Sequence, residues 1–247
     1  MTIAFCFLVY DYIIRYDIWN LFFKNIDFEK YIVFIHPKHT FNKDIYTFQY
    51  KIIEEKINTL SKDHISIVHA TLQLLKETYI YNNEITHFIF LSQSCIPLYN
   101  FNKIYEITTK FKNSVISAIN NNKKERYFQL NNHMKQYIQY SNFVKQQPNM
   151  ILIKNDVIDL LKYNYTIYFS NMVCPDEHYF INVLLNILKK NIIKYQINFC
   201  NYNLNKTQAM DFKYVHKKLI NKIRNYGFLF MRKINKNSVI DLCDYFE

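Results

Sequence analysis

Two short segments of this chain gather side chains that could do chemistry. In Leu91-Ser92-Gln93-Ser94-Cys95-Ile96-Pro97-Leu98-Tyr99-Asn100-Phe101 an apolar stretch stops at a turn of hydroxyls and an amide, then resumes. Small polar groups delivered to the end of a strand can hold the polar parts of a ligand. In Cys174-Pro175-Asp176-Glu177-His178-Tyr179 two adjacent carboxylates follow a proline. Proline suits the first position of a helix, where unpaired N–H groups and the helix dipole favour negative charge. A carboxylate kept ionised beside a ligand cleft can act as a general base. Carboxylates that serve only to start a helix are the plainer reading of the same pattern.

The elements that must position these segments read as alternating strands and helices. Ile3 to Val9 and Tyr31 to Ile35 are apolar runs suited to strands buried on both faces, separated by an amphipathic stretch with Ile18, Leu21 and Phe22. His64 to Tyr81 has helical spacing and leads into a strand from Thr86 to Leu91, which ends at the first segment. A helix from Asn100 to Phe111, a strand from Ser114 to Ile119, an exposed loop from Asn120 to Lys124, a strand from Met150 to Ile153 and a helix from Asp156 to Tyr163 follow. After the Pro175 helix come a strand near Ile192 to Phe199, a helix near Val215 to Arg224, a strand from Phe228 to Met231 and a final helix near Val239 to Phe246. No repeat or linker divides the chain, so residues 1–247 read as one domain.

Composition narrows the chemistry. With 247 residues, half of them hydrophobic, a large core can form. The single glycine, Gly227, excludes glycine-rich phosphate loops, so any phosphate must be held by side chains or helix ends. The net charge of +11 is unevenly spread: Lys189 to Lys236 holds twelve Lys or Arg and one acid, Asp211. That basic final part could neutralise a diphosphate, bind an acidic acceptor or form a solvated face. A nucleic-acid-binding reading rests on charge and aromatics alone and has no recognition motif behind it. Five cysteines without CxxC or Cys/His spacing suggest neither a zinc site nor a disulfide framework. The apolar stretch Ile3 to Tyr10 is too short to span a bilayer, so no integral membrane segment, signal peptide or anchor is expected.

Taken together, the two segments resemble those of the core-2/I-branching β-1,6-N-acetylglucosaminyltransferase family, glycosyltransferase family 14. Ile3-Ala4-Phe5-Cys6-Phe7-Leu8 looks like its opening strand, Trp19 with Phe22-Phe23 like its following helix, and Tyr31-Ile32-Val33-Phe34-Ile35-His36-Pro37 like its second strand. Ser66-Ile67-Val68-His69-Ala70 with Leu74-Leu75, and Leu229-Phe230-Met231-Arg232-Lys233, fall in the family's order.

The resemblance implies an α/β fold: a GT-A-type, Rossmann-like glycosyltransferase domain with a mixed central sheet flanked by helices. It implies transfer from a UDP-sugar, N-acetylglucosamine foremost, to a glycan or glycoprotein hydroxyl with inversion, and no cofactor or metal ion beyond the donor. No Asp-x-Asp triplet occurs in the sequence. By the same resemblance Glu177 takes the place of the base, Asp176 supports it or binds donor hydroxyls, and Arg232 and Lys233 meet the diphosphate. Ser92, Gln93 and Ser94 lie where metal-using relatives carry Asp-x-Asp, and His36 and Lys38 where the family places nucleotide contacts. Two departures stand out: Lys62-Asp63 replaces a Trp-Gly pair, and Gln147-Pro148-Asn149 replaces Ser-Gln-Trp. They motivate an alternative, a catalytically silent binder of glycan or UDP-sugar. Relatives with a membrane anchor work in the Golgi; with none expected before the first strand, a cytoplasmic or viral-factory setting is the expectation here.

Overall fold

A computed structural model of the chain describes every residue except 61–63, 121–123, 148, 203–208, 242–244 and 247. Its centre is a six-stranded mixed sheet of β1 (Thr2–Val9), β2 (Tyr31–Pro37), β3 (Lys51–Ile52), β4 (Ile85–Ser92), β6 (Val115–Ile116) and β9 (Met150–Ile153), in spatial order β3-β2-β1-β4-β9-β6. The first four strands in that order are parallel, whereas β9 runs antiparallel to both β4 and β6. Helices α1 (Tyr16–Phe23), α2 (Ser66–Tyr81), α3 (Phe101–Thr109) and α6 (Lys154–Lys162) cover it.

The alternation of side chains along β1 explains the layering. Ile3, Phe5, Phe7 and Val9 enter one core with Trp19, Phe22 and Phe23 of α1 and Phe101 and Ile104 of α3. Ala4 and Cys6 enter the other with Leu74 and Leu75 of α2 and Val157 and Leu160 of α6. In β4, Phe88 and Phe90 join the second core while Ile89 and Leu91 join the first. Strands buried on both faces need continuous apolar runs, which is what both sequences carry. The Asn100 side chain caps α3 by accepting from the Lys103 N–H at 3.0 Å.

Beyond the central sheet, β7 (Ile119–Asn120) pairs with β8 (Val144–Lys145), and two short helices, α4 (Lys124–Phe128) and α5 (Asn132–Lys135), fill the intervening segment. The carboxylate segment forms one 3-10 turn, Pro175–Glu177, followed by α7 (Tyr179–Asn182) and a π turn, Val183–Ile187. The last part adds β10 (Asn198–Cys200), β11 (Phe212–Val215), α8 (Lys217–Asn225), β12 (Phe230–Arg232) and β13 (Ile234–Ile240). With β5 (Ile96–Pro97), β10 and β12 form a three-stranded sheet, and β11 and β13 form a parallel ribbon. Gly227, at φ 84°, follows the end of α8 in the left-handed conformation that favours glycine.

Three sequence readings change. The final helix is overturned in its first residues: Val239 and Ile240 belong to β13, where pairing with Tyr214 and Val215 outweighs local preference, and 242–244 lie outside the described residues. The strand near Ile192 to Phe199 shrinks to Asn198–Cys200, with Ile193 making one isolated bridge to Val115. The stretch from Ser114 to Ile119 divides, because the chain leaves the central sheet after Ile116 and starts a separate hairpin at Ile119. Of the loop expected from Asn120 to Lys124, residues 121–123 lie outside the described residues, as do Lys62, Asp63, Pro148 and Cys243. Among the described residues no helix is long and apolar enough to cross a membrane.

Candidate active site

Three parallel strands end level with one another. Leu8 of β1 is in register with His36 on one side and Ser92 on the other, so the residues after β1, β2 and β4 emerge at the same sheet edge. The carboxyl edge of parallel strands is where open α/β sheets take ligands. Backbone bonds tie the exits together: the Lys38 N–H donates to Val9 O at 2.9 Å and the Gln93 N–H to Leu8 O at 3.3 Å. The Gln93 side chain adds a third tie, its Oε1 accepting from the Tyr10 N–H at 2.7 Å.

The turn after β4 is held from behind. Trp19 Nε1 donates to Cys95 O at 3.0 Å, and Asn149 Nδ2 donates to Phe90 O at 3.1 Å and to Cys95 Sγ at 3.2 Å. Ser92 Oγ lies 3.3 Å from Ser94 Oγ and 3.2 Å from Cys95 Sγ. The turn runs directly into β5, and β5 pairs with β12, Met231 opposite Ile96 and Phe230 opposite Pro97. The Ile234 N–H then donates to Ser94 O at 3.0 Å. This pairing carries Arg232 and Lys233 from the end of the chain to the flank of Ser92–Ser94.

The result is a pocket of about 440 Å³ that brings together Ser92, Gln93, Ser94, Lys38, Arg232 and Lys233. Its volume suits a small-molecule ligand. Its lining mixes apolar side chains, Val9, Ile14, Leu60 and Ile67, with polar and cationic ones. Lys38 Nζ sits 5.6 Å above the Tyr10 ring and 3.4 Å from Leu60 O. Arg232 Nε is buried and has no hydrogen-bond partner among the described residues. A buried guanidinium N–H without an acceptor is suited to an incoming anion. Sequence reasoning missed Tyr10, Thr59, Asp211 and Asn235 in the lining. For Asp211 a signal existed, since it is the one acid in the basic final part; Asn235 Nδ2 donates to its Oδ2 at 3.1 Å.

Three of the expected site residues lie outside this pocket. His36 is fully buried, its Nε2 accepting from the Ile57 N–H at 3.0 Å, and burial lowers its pKa; its ring serves the loop after β3 and does not line the pocket. Glu177 is partly exposed and its Oε2 is 2.9 Å from Lys145 Nζ, while its backbone oxygen accepts from the Gln146 N–H at 2.7 Å. Asp176 also stands apart from the lining, but Arg232 is near enough to act on its charge.

At Asp176 burial outweighs the helix-start effect that would favour the ionised form. Its pKa is raised from 3.8 to about 6, first by burial and second by the neighbouring Glu177, and the pull of its own and the next backbone N–H groups and of Arg232 does not offset this. A single 3-10 turn accumulates little dipole, so loss of hydration wins. Part of the residue remains at the surface, yet its carboxyl is crowded by protein. The adjacent His178 is buried, stacks on Phe143 with ring centroids 4.8 Å apart, and has its pKa lowered to about 4 by burial.

Elsewhere, a hollow of about 730 Å³ opens beside α1 and the start of β2, lined mainly by apolar side chains and by none of the expected site residues. Among the described residues no cluster of three His, Cys, Asp or Glu is arranged to hold a metal ion.

The chain is thus a mixed α/β domain with a cationic, hydroxyl-bearing pocket at the carboxyl edge of its parallel strands. The model of the Core-2/I-Branching enzyme family matches residues 3–225, and the chain belongs to that family, which makes it a glycosyltransferase by descent. Arg232 and Lys233 lie past the matched residues and join the site through the β5–β12 pairing. No curated protein sequence matches the chain. Among solved structures it is similar to the crystal structure of A197 from STIV, at 11% identity over 78% of this chain and 80% of that one, with a TM-score of 0.38.

Proposed function

We propose that the chain transfers a sugar, N-acetylglucosamine, from a UDP-sugar to a hydroxyl of a glycan or glycoprotein, with inversion and without a metal ion. The observation that carries this reading is the convergence of Ser92–Ser94 and Arg232–Lys233 on one pocket, with Arg232 also acting on the charge of Asp176. The apolar side chains of the lining suit a nucleobase and its cations a diphosphate. As the glycosidic bond breaks, negative charge grows on the departing UDP, and fixed cations stabilise that charge more strongly than they stabilise the bound donor. Diphosphate leaves without being protonated, so one base is enough. Glu177 takes the proton from the acceptor hydroxyl as its oxygen attacks the anomeric carbon from the face opposite UDP, and Asp176 binds donor hydroxyls.

Glu177→Gln tests the assignment. UDP binding, measured by calorimetry, should be retained, and transfer, measured by UDP release in the presence of acceptor, should fall by about 10²–10⁴. Undiminished transfer would remove Glu177 from its role. The Lys145–Glu177 ion pair favours a second reading, since it holds one carboxylate oxygen of Glu177 against a lysine outside the pocket lining. On that reading the chain is a catalytically silent binder of glycan or UDP-sugar, and slow hydrolysis of UDP-sugar in the absence of acceptor separates the two: a silent binder shows none.

A further inference from the structure

The ribbon of β11 and β13, beside the pocket, presents a surface to which the proposed transfer assigns no role. Its inner face packs into a separate apolar cluster through Phe212, Val215, Ile234 and Ile240. On its outer face Tyr214 and Val239 are directly paired across the two strands, and both are open to solvent, at 69% and 59% exposure. Lys213 and Lys236 are exposed on the same two strands, and Lys217 and Lys218 are exposed at the start of α8, whose Ile220 and Ile223 are turned into the core. Three residues of chain span at most about 11 Å, so Lys217 cannot be far from Tyr214, nor Lys236 from Val239. Residues 212–240 contain eight Lys or Arg and no acid; the nearest acids in sequence are Asp211, engaged by Asn235, and Asp241.

We infer that this face docks the protein on an anionic lipid surface. The charge alone would suit any polyanion, but the protruding Tyr214–Val239 pair decides among them. An exposed tyrosine and aliphatic side chain, with exposed lysines on the same two strands and at the start of α8, suit the boundary between headgroups and acyl chains, where the apolar parts leave water and the ammonium groups reach lipid phosphates and carboxylates. A nucleic acid has no continuous apolar layer for the Tyr214–Val239 pair to enter. The ribbon joins the pocket through Asp211, Lys233, Ile234 and Asn235, so a protein seated on it would hold its active site close to the membrane plane.

Vesicle flotation of the full chain tests this. The protein should float with vesicles of phosphatidylcholine mixed with phosphatidylserine and stay behind with phosphatidylcholine alone, and added salt should release it. The double variant Lys213→Gln, Lys236→Gln should bind roughly 25-fold more weakly, at about fivefold per lysine. Tyr214→Ser with Val239→Ser should also weaken binding, in a manner that salt does not reproduce. All four side chains are exposed, so the melting temperature should be unchanged in the lysine variant and only slightly lowered in the Tyr214→Ser, Val239→Ser variant, which loses a cross-strand pair. Failure to float with phosphatidylserine, equal floating with phosphatidylcholine, or full binding by the lysine variant would overturn the inference. Capture of single-stranded DNA through these lysines without vesicle binding would overturn it in favour of a nucleic-acid partner. Transfer to a soluble acceptor is a separate measurement, so the inference and the proposed function can fail independently.

Discussion

Replacing Asp176 by asparagine should make the protein more stable while making it a poorer enzyme. The carboxyl is forced up from 3.8 to about 6 in the fold, mainly because ionising it costs hydration that Arg232 and nearby N–H groups do not restore. A rise of about two pH units corresponds to roughly 3 kcal/mol, at about 1.4 kcal/mol per unit. The sign follows from proton counting. Below the unfolded value near 3.8 the group is protonated in both states and costs nothing. Between 3.8 and about 6 the native state holds a proton that the unfolded chain has released, so stability falls as pH rises. Above about 6 the full penalty is present.

An asparagine side chain at this position would have nearly the same shape and no charge to desolvate. Asp176→Asn should therefore gain up to about 3 kcal/mol at pH well above the shifted value, or roughly 6–12 °C in Tm at about 2–4 °C per kcal/mol for a chain of this size. The gain should vanish toward the unfolded value. Thermal melts of both proteins across pH, with UDP-sugar transfer assayed in parallel, give the two readouts. A variant that is less stable than the parent at neutral pH, or a gap that does not close on acidification, would refute the reasoning. Stability rising while transfer falls is the mark of a group kept in an unfavourable place for its chemistry.

The remaining predictions concern the pocket and its support. Arg232→Ala and Lys233→Ala should each weaken UDP binding by about 10- to 100-fold, the range for hydrogen bonds to charged groups, as read by calorimetry. EDTA should leave transfer intact; strong inhibition would argue against transfer without a metal. Trp19→Ala should cost about 3–5 kcal/mol in urea denaturation, because a fully buried indole is removed from the aromatic core. Trp19→Phe should retain most of that packing but lose the bond to Cys95 O, so transfer should suffer more than stability as the turn after β4 loosens.

How much of this was legible depended on the range of the interactions. The central strands β1, β2 and β4 could be read because each is buried on both faces, which calls for a largely apolar run. The helix at Asn100 could be read because its cap is local. The ribbon of β11 and β13 could not: neither strand is a continuous apolar run, and each becomes a strand only through the other, with a register shift between Phe212 and Tyr214 that no simple alternation foretells. In the site, Ser92–Ser94 stood out as the polar end of an apolar strand, and Arg232–Lys233 through the resemblance to family members. The burial of His36 did not show, since a histidine at a strand end reads alike whether it faces solvent or, as here, the Ile57 backbone. The raised pKa of Asp176 did not show for a related reason. Its sequence position reports a helix start, while its pKa reports the protein packed around it.

Arg232 is where these separate pieces meet. It lines the pocket beside Ser92–Ser94, it is the cation that pulls on Asp176, and its strand position is level with Cys200 of β10. A chain with one glycine has no phosphate loop to offer, so an anion at this edge must be met by side chains. A side chain can serve only if its backbone is fixed, and here the fixing comes from β5, the two residues that follow the polar turn itself. The turn and the cation therefore share one support. Damage to the Ile96–Met231 pairing should weaken the hydroxyl corner and the cation together, whereas loss of either side chain alone should leave the other in place.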